Sequence, residues 1–293
     1  MVTRSTPATP ATPAVRIDVL KTYKLFIGGA FPRSESGRVY PLTGLDGAHL
    51  ANPALASRKD LRDAVVAARS AFTGWSHATP YNRGQILYRM GEILEGRRDQ
   101  LISEIVALEG VTSRAAAVQL KESVDLLVWY AGWSDKISSL GGSTNPVSGP
   151  FYNFSTPEPI GVVAAFARAK PSLLNLIGAI APIIVSGNTA VVIASEKFPL
   201  PAITFAEVLA TSDLPAGVVN ILTGSTEELA PWTASHMDID AIDASGLTAK
   251  QLKEAQISGA QNLKRIKIHT ELMSPEKILS YMEIKTVWHP IGI

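Results

Sequence analysis

Between Gly161 and His269 the sequence alternates short apolar runs with longer ones. The runs Gly161–Phe166, Thr189–Ile193, Val218–Leu222, Ile239–Asp243 and Leu263–His269 have the length and the branched, apolar content of strands. The stretches Pro171–Ser186, Leu200–Thr211, Thr226–Ser235 and Thr248–Ser258 have the length of helices. Strands that alternate with helices in this way predict an α/β fold built on a parallel sheet. A run as uniformly apolar as "TAVVI" fits a strand covered on both faces. A frame of this kind can hold a dinucleotide, but its first loop, "FARAKPS", and its second, "IASEKFP", carry charges and no glycine.

The residues ahead of this alternation are mostly amphipathic helix. Ser57 with Asp60 three residues on has the form of a capping box, and Leu61, Val65, Ala68 and Phe72 follow at helical spacing. A second helix is predicted from Pro80, a residue tolerated in a first turn, with a break near Gly96. Its apolar face carries Ile86, Leu87, Met90, Ile93, Leu94, Leu101, Ile105 and Leu108. A third, about Ser113–Asp135, is expected to pack through Val118, Val124, Leu127, Val128 and Trp129. Two short strands are expected at Tyr23–Phe31 and Gly37–Tyr40, and further ones at "FYNFSTPEP" and across Tyr281–Trp288. The opening Thr/Pro/Ala repeat lacks the apolar core of a signal peptide and reads as a disordered arm. No apolar run reaches the roughly 20 residues that span a bilayer. A net charge of +1 gives no reason to expect nucleic acid or an anionic membrane as partner, and a cytoplasmic location is the expectation. The chain has no cysteine, which removes any thiol nucleophile or thiolate metal site from it. Its histidines, His49, His77, His236, His269 and His289, lack the spacing of metal ligands.

The segments "KLFIGGAF", "DLRDAVVAARSAFTGW", "NRGQILYRMGEIL", "WYAGWSDKI", "EPIGVV", "IAPIIVSGNTAVV", "LPAGVVNILTG" and "NLKRI" stand in the order of the aldehyde dehydrogenase superfamily, and "LSYMEIKTVW" is similar to its last strand. The resemblance implies an α/β architecture: a Rossmann-like parallel sheet flanked by helices, with a small β oligomerisation element made of an arm and a C-terminal strand. The implied layout is an arm at 1–20, a helical part at 21–140, an oligomerisation arm at 141–160, the sheet at 161–270, and a linker with the terminal strand at 271–293. The family's catalytic domain would lie between the sheet and that strand. Here His269–Ile278 joins them, and about ten residues cannot form a domain of the usual ~50 or more.

The resemblance also assigns family positions to residues of this chain. Lys170 falls where the oxyanion-binding asparagine would be, in a loop expected to be solvated. His269 falls where the general-base glutamate would be, and Ile193 where a ribose-binding lysine would be. Glu196 matches an acidic residue that bonds a ribose hydroxyl. Gly224 and Gly246 match glycines of the loops that approach the cofactor, but Glu227, Glu228 and Leu247 replace the usual companions. Carboxylates at a helix start suit the helix dipole and would repel a pyrophosphate.

These positions lead to the expectation of a chain without catalytic residues or a required cofactor, with NAD(P) binding through Glu196, Gly224 and Gly246 as the alternative, and aldehyde oxidation as the more remote one. Association is expected through Phe151, Tyr152, Phe154, Tyr281, Ile284, Val287 and Trp288, as a homo-oligomer or with a full-length aldehyde dehydrogenase. The C-terminal edge of the sheet is expected to stand partly uncovered.

Overall fold

The computed structural model describes residues 19–45 and 47–292. Residues 1–18, which hold most of the Thr/Pro/Ala arm, lie outside the described residues. In chain order the elements are β1 (Leu42–Thr43), β2 (His49–Ala51), α1 (Arg58–Ser76), α2 (Pro80–Gly96), α3 (Arg98–Glu109), α4 (Ser113–Trp133), α5 (Ile137–Gly141), β3 (Ser143–Asn145) and β4 (Phe151–Pro159). They continue as β5 (Val162–Phe166), α6 (Ser172–Val185), β6 (Thr189–Ile193), α7 (Leu200–Leu209), β7 (Val219–Leu222), α8 (Thr226–Ser235), β8 (Ala241–Asp243), α9 (Ala249–Gly259), β9 (Arg265–Lys267), α10 (Pro275–Leu279) and β10 (Met282–Pro290).

The central sheet is parallel, in the order β7-β6-β5-β8-β9. Successive strand residues point to opposite faces, and the two apolar clusters divide along that alternation. Val163, Ala165, Ala190 and Val192 face α6 and α7, with α2, α3 and α4 stacked behind them. Val162, Ala164, Val191 and Ile193 face α1, α8 and α9. The strands are therefore covered on both faces, as the run "TAVVI" requires.

Helix α1 starts as expected. Ser57 accepts from Asp60 N, and the Asp60 carboxylate accepts from Ser57 N at 2.8 Å. Leu61, Ala64, Val65 and Ala68 then form its buried stripe. At the other end Trp75 donates to Ile184 O at 2.9 Å, fixing α1 against α6. The break between α2 and α3 falls at Arg97, directly after Gly96.

Several expectations are corrected. Tyr23–Phe31 and Gly37–Tyr40 form no strands and make only isolated antiparallel bridges, Phe26 to Ile221, Ile27 to Ala30 and Val39 to Ala54, while the short two-stranded pairing nearby belongs to β1 and β2. Val118 and Val128 are exposed, because the stripe of α4 that packs runs through Ala116, Leu120, Ser123, Leu127 and Tyr130. A short strand, β3, was not legible in "SSLGGSTNPVSGP". Its Asn145 donates to Asn153 Oδ1 at 2.6 Å, a partner supplied by β4. The second sheet is antiparallel, in the order β10-β4-β3. Among the described residues no helix is long and apolar enough to cross a membrane.

Candidate functional site

Open α/β sheets bind ligands beyond the carboxyl ends of the strands, where the strand order reverses. Here β6 and β7 lie on one side of β5 while β8 and β9 lie on the other, so the crevice falls between β5 and β8. The loops that carry Arg168, Lys170, Glu196, Gly224, Gly246 and His269 all leave from this end of the sheet.

The crevice is filled by the chain itself. Residues 268–281 cross the strand ends, and α10 drops Lys277 into the interior. Its ammonium donates to Gly178 O on α6 at 2.8 Å and stands 3.5 Å from Asp243 Oδ2. Tyr281 donates to the same Asp243 oxygen at 3.1 Å, and Ser245 donates to the other. Asp243 is 1 % exposed and Lys277 5 % exposed. Burial lowers the Lys277 ammonium below the usual lysine range, while neighbouring Asp243 works against that shift. Burial also pushes the Tyr281 hydroxyl well up. Leu272 closes the roof: a Cβ on Gly178 would meet Leu272 Cδ2 at 2.5 Å, so the helix makes room for that side chain with a glycine. A cavity of about 10 Å³ remains, the room of about one water. This corrects the expectation of an uncovered sheet edge at the switch point. The segment expected to be a plain linker also stops the gap.

His269 lies on the rim of this plug. Burial lowers its pKa below the ordinary histidine value, although neighbouring Asp243 works against that shift. Its carbonyl accepts from Arg168 Nη2, its backbone N–H donates to Ser245 Oγ at 2.9 Å, and its Nε2 lies 3.4 Å from Ser280 Oγ. Tyr281 is corrected as an association residue. It precedes β10, is 1 % exposed, and its carbonyl accepts from Asn188 Nδ2 at 2.7 Å.

Lys170 is exposed, as expected of a loop cation, but its ammonium is engaged by the chain. It donates to Glu109 O at 2.7 Å, at the last turn of α3, and lies over the Phe198 ring. There its charge meets the negative end of the helix dipole. The Glu109 carboxylate in turn accepts from Ser172 N at 2.8 Å and from Ser172 Oγ at 2.6 Å. An internal carboxylate thus occupies the first turn of α6, a place where free N–H groups favour an anion. Glu109 was not singled out in the sequence; a lone glutamate at a helix end gives no local signal of a partner 63 positions away.

The cofactor-type positions are brought to the same end of the sheet, but as packing and capping groups. Glu196 Oε2 accepts from Thr226 N at 3.4 Å, at the start of α8, and Glu227 and Glu228 lie in that helix's first turn. Gly224 has φ +140°, and a Cβ there would stand 2.9 Å from Ala56 N. A Cβ on Gly246 would stand 2.5 Å from Phe166 O. Both glycines therefore allow backbones to close on each other. The first turn of α9 is closed by its own capping box, Thr248 with Gln251. Ile193 is buried in the apolar cluster under α1 and α8. A groove of about 470 Å³ does lie between α8 and α9, lined by Glu227, Pro231, Thr248 and Gln251 among others. Three cations along α1 are paired: Lys59 with Glu35, Arg62 with Asp63 and Arg69 with Asp240. No group of three or more potential metal ligands occurs among the described residues.

The sequence profile described as "Aldehyde dehydrogenase family" matches residues 33–287. The chain belongs to the aldehyde dehydrogenase family. It is 34 % identical over 272 residues to retinal dehydrogenase 2 of Gallus gallus, an alignment covering 89 % of this chain and 51 % of that protein. An aldehyde dehydrogenase of Emericella nidulans is 30 % identical, with 92 % and 54 % covered. Among solved structures, the NAD+ complex of an aldehyde dehydrogenase from Bacillus cereus superposes with a TM-score of 0.79 at 27 % identity, covering 85 % of this chain and 50 % of that one. A protein of Burkholderia cenocepacia described as a putative aldehyde dehydrogenase gives the same TM-score at 26 % identity, covering 84 % and 50 %. The chain thus spans about half the length of the curated relatives it matches.

Proposed function

We propose that this chain is a non-catalytic member of its family that acts as a structural or regulatory subunit, associating through its small sheet with further copies or with a full-length aldehyde dehydrogenase. One observation carries the reading. The segment after β9 fills the crevice at the sheet's switch point with Lys277 and Tyr281, and then runs straight into the exposed strand β10. A crevice of about 10 Å³ admits no aldehyde. The chain has no cysteine to attack one, and His269 is tied into the plug. The dinucleotide pyrophosphate is also poorly served, because Glu196, Glu227 and Glu228 ring the start of α8 and Glu109 fills that of α6. Assay of the purified chain with NAD+ or NADP+ and a panel of aldehydes tests the reading. No aldehyde-dependent reduction is expected, and turnover abolished by a substitution in this chain would overturn it.

A second reading, a nucleotide-binding module, is favoured by the groove between α8 and α9 and by the NAD+ complex of the Bacillus cereus relative. Trp232 on α8 is partly exposed, so its fluorescence reports on that helix. Saturable quenching at micromolar NAD(P)+ favours the second reading; none favours the first.

A further inference from the structure

We propose that the partner taken by the exposed edge of β10 is a second copy of the same strand, paired antiparallel about a two-fold axis through Thr286. The proposal rests on the associating role argued above and adds the partner and the register.

The ladder between β10 and β4 decides which backbone groups are free. Ile160 N donates to Tyr281 O, and Ile291 N donates to Pro150 O. These two bonds bracket a pairing that runs without a slip from Met282↔Pro159 to Pro290↔Phe151. Antiparallel pairs alternate between bonded and non-bonded, so Glu283, Lys285, Val287 and His289 spend their N–H and C=O groups on β4. Pro157 and Pro159, which lack an N–H, fall opposite Ile284 and Met282, where β4 needs no donor. The groups of Met282, Ile284, Thr286, Trp288 and Pro290 therefore point out to the edge, which has no neighbouring strand among the described residues.

Two of those outward positions are already closed. Arg265 Nη1 donates to Met282 O at 2.6 Å, and Pro290 has no N–H to offer. A two-fold axis through Thr286 sets these two residues opposite each other. The donor missing at Pro290 then faces the acceptor already satisfied at Met282, and no backbone group is orphaned. The same axis sets Ile284 opposite Trp288, Thr286 opposite its own copy and Glu283 opposite His289. Branched–aromatic, Thr–Thr and acid–base pairs are the kinds that stabilise facing strands. An axis through Lys285 would oppose two ammonium groups, and one through Val287 would set Lys285 against His289. Ile284 and Trp288 are 50 % and 58 % exposed in the single chain, the long apolar edge that proteins normally cover.

Because the chain has no cysteine, single substitutions give clean cross-links. In the proposed register the two Thr286 Cα atoms are about 5.5 Å apart, within the range a disulfide spans. Thr286→Cys is expected to oxidise to a covalent dimer. Ile284→Cys and Trp288→Cys, about 14 Å from their own copies along the strands, are expected to cross-link with each other and not with themselves. Ile284→Pro removes one outward N–H and leaves the β4 ladder intact, so it is expected to give a folded monomer by circular dichroism and light scattering. A dimer that fails to cross-link at Thr286, or cross-links at Ile284 with itself, overturns the register and leaves the associating role standing. A folded monomer that binds a full-length aldehyde dehydrogenase overturns self-pairing and leaves the role standing. A monomer that binds neither overturns both.

Discussion

The ionisable side chains of Glu104 and Lys277 are both buried. Glu104 lies under α7, where Tyr23, Thr204 and Gln100 all donate to its Oε1, and its Oε2 has no partner. Burial raises its pKa above the usual carboxylate value, although those donors and Lys21 work against the shift. Its folded form therefore holds a proton more tightly than the unfolded chain. The stability from that proton is present below about pH 4.5 and is lost as the pH rises through the folded pKa. Glu104→Gln should flatten this part of the curve, read as the difference in urea midpoint between the two proteins from pH 4 to pH 8. Lys277 makes the converse case. Lys277→Met leaves Asp243 buried and unpaired, so a loss of about 3–5 kcal/mol is expected. Adding Asp243→Asn should recover much of it, as a double-mutant cycle in urea would show. Neither site was legible in the sequence. Periodicity marks Leu61 or Ile105 as interior, but Glu104 is explained by Tyr23 and Thr204, 81 and 100 positions away, and Lys277 by Gly178, 99 positions away.

Elements were read best where the signal was local. The capping box at Ser57, the break after Gly96, the strand Thr189–Ile193 and the helix Thr226–Ser235 all stand where short-range rules put them. The strands that were misplaced or missed, at the N-terminus and at β3, are two or three residues long and owe their existence to tertiary pairing. Ser57→Ala should cost about 1 kcal/mol, visible in a thermal melt. The boundary of β10 also matters for experiment. A truncation that began at Leu279 would remove Tyr281 and its bonds to Asp243 and Asn188. Removal of 283–293 spares those contacts and should abolish association while the central sheet keeps its circular dichroism spectrum.

At the scale of the whole molecule, the family frame survives while its ligand end has been turned inward. Helix starts that could receive an anion are met by Glu109 and Glu196, the glycines admit neighbouring backbone, and the crevice holds Lys277. What stays open is the small sheet with its nine-residue edge strand. The short link from the sheet to the terminal strand was legible in the sequence, but not that the link would seal the crevice. That depends on Leu272, Lys277 and Tyr281 meeting α6 and β8 in space. If this chain works as a subunit, its recovery, tagged at native abundance, from its own cells, with the mass of the particle measured and its chains identified by mass spectrometry, reads that role without an intermediate assay. A particle of two or more chains is expected, containing a second copy or a full-length aldehyde dehydrogenase. Recovery of a single folded chain with no partner would contradict it.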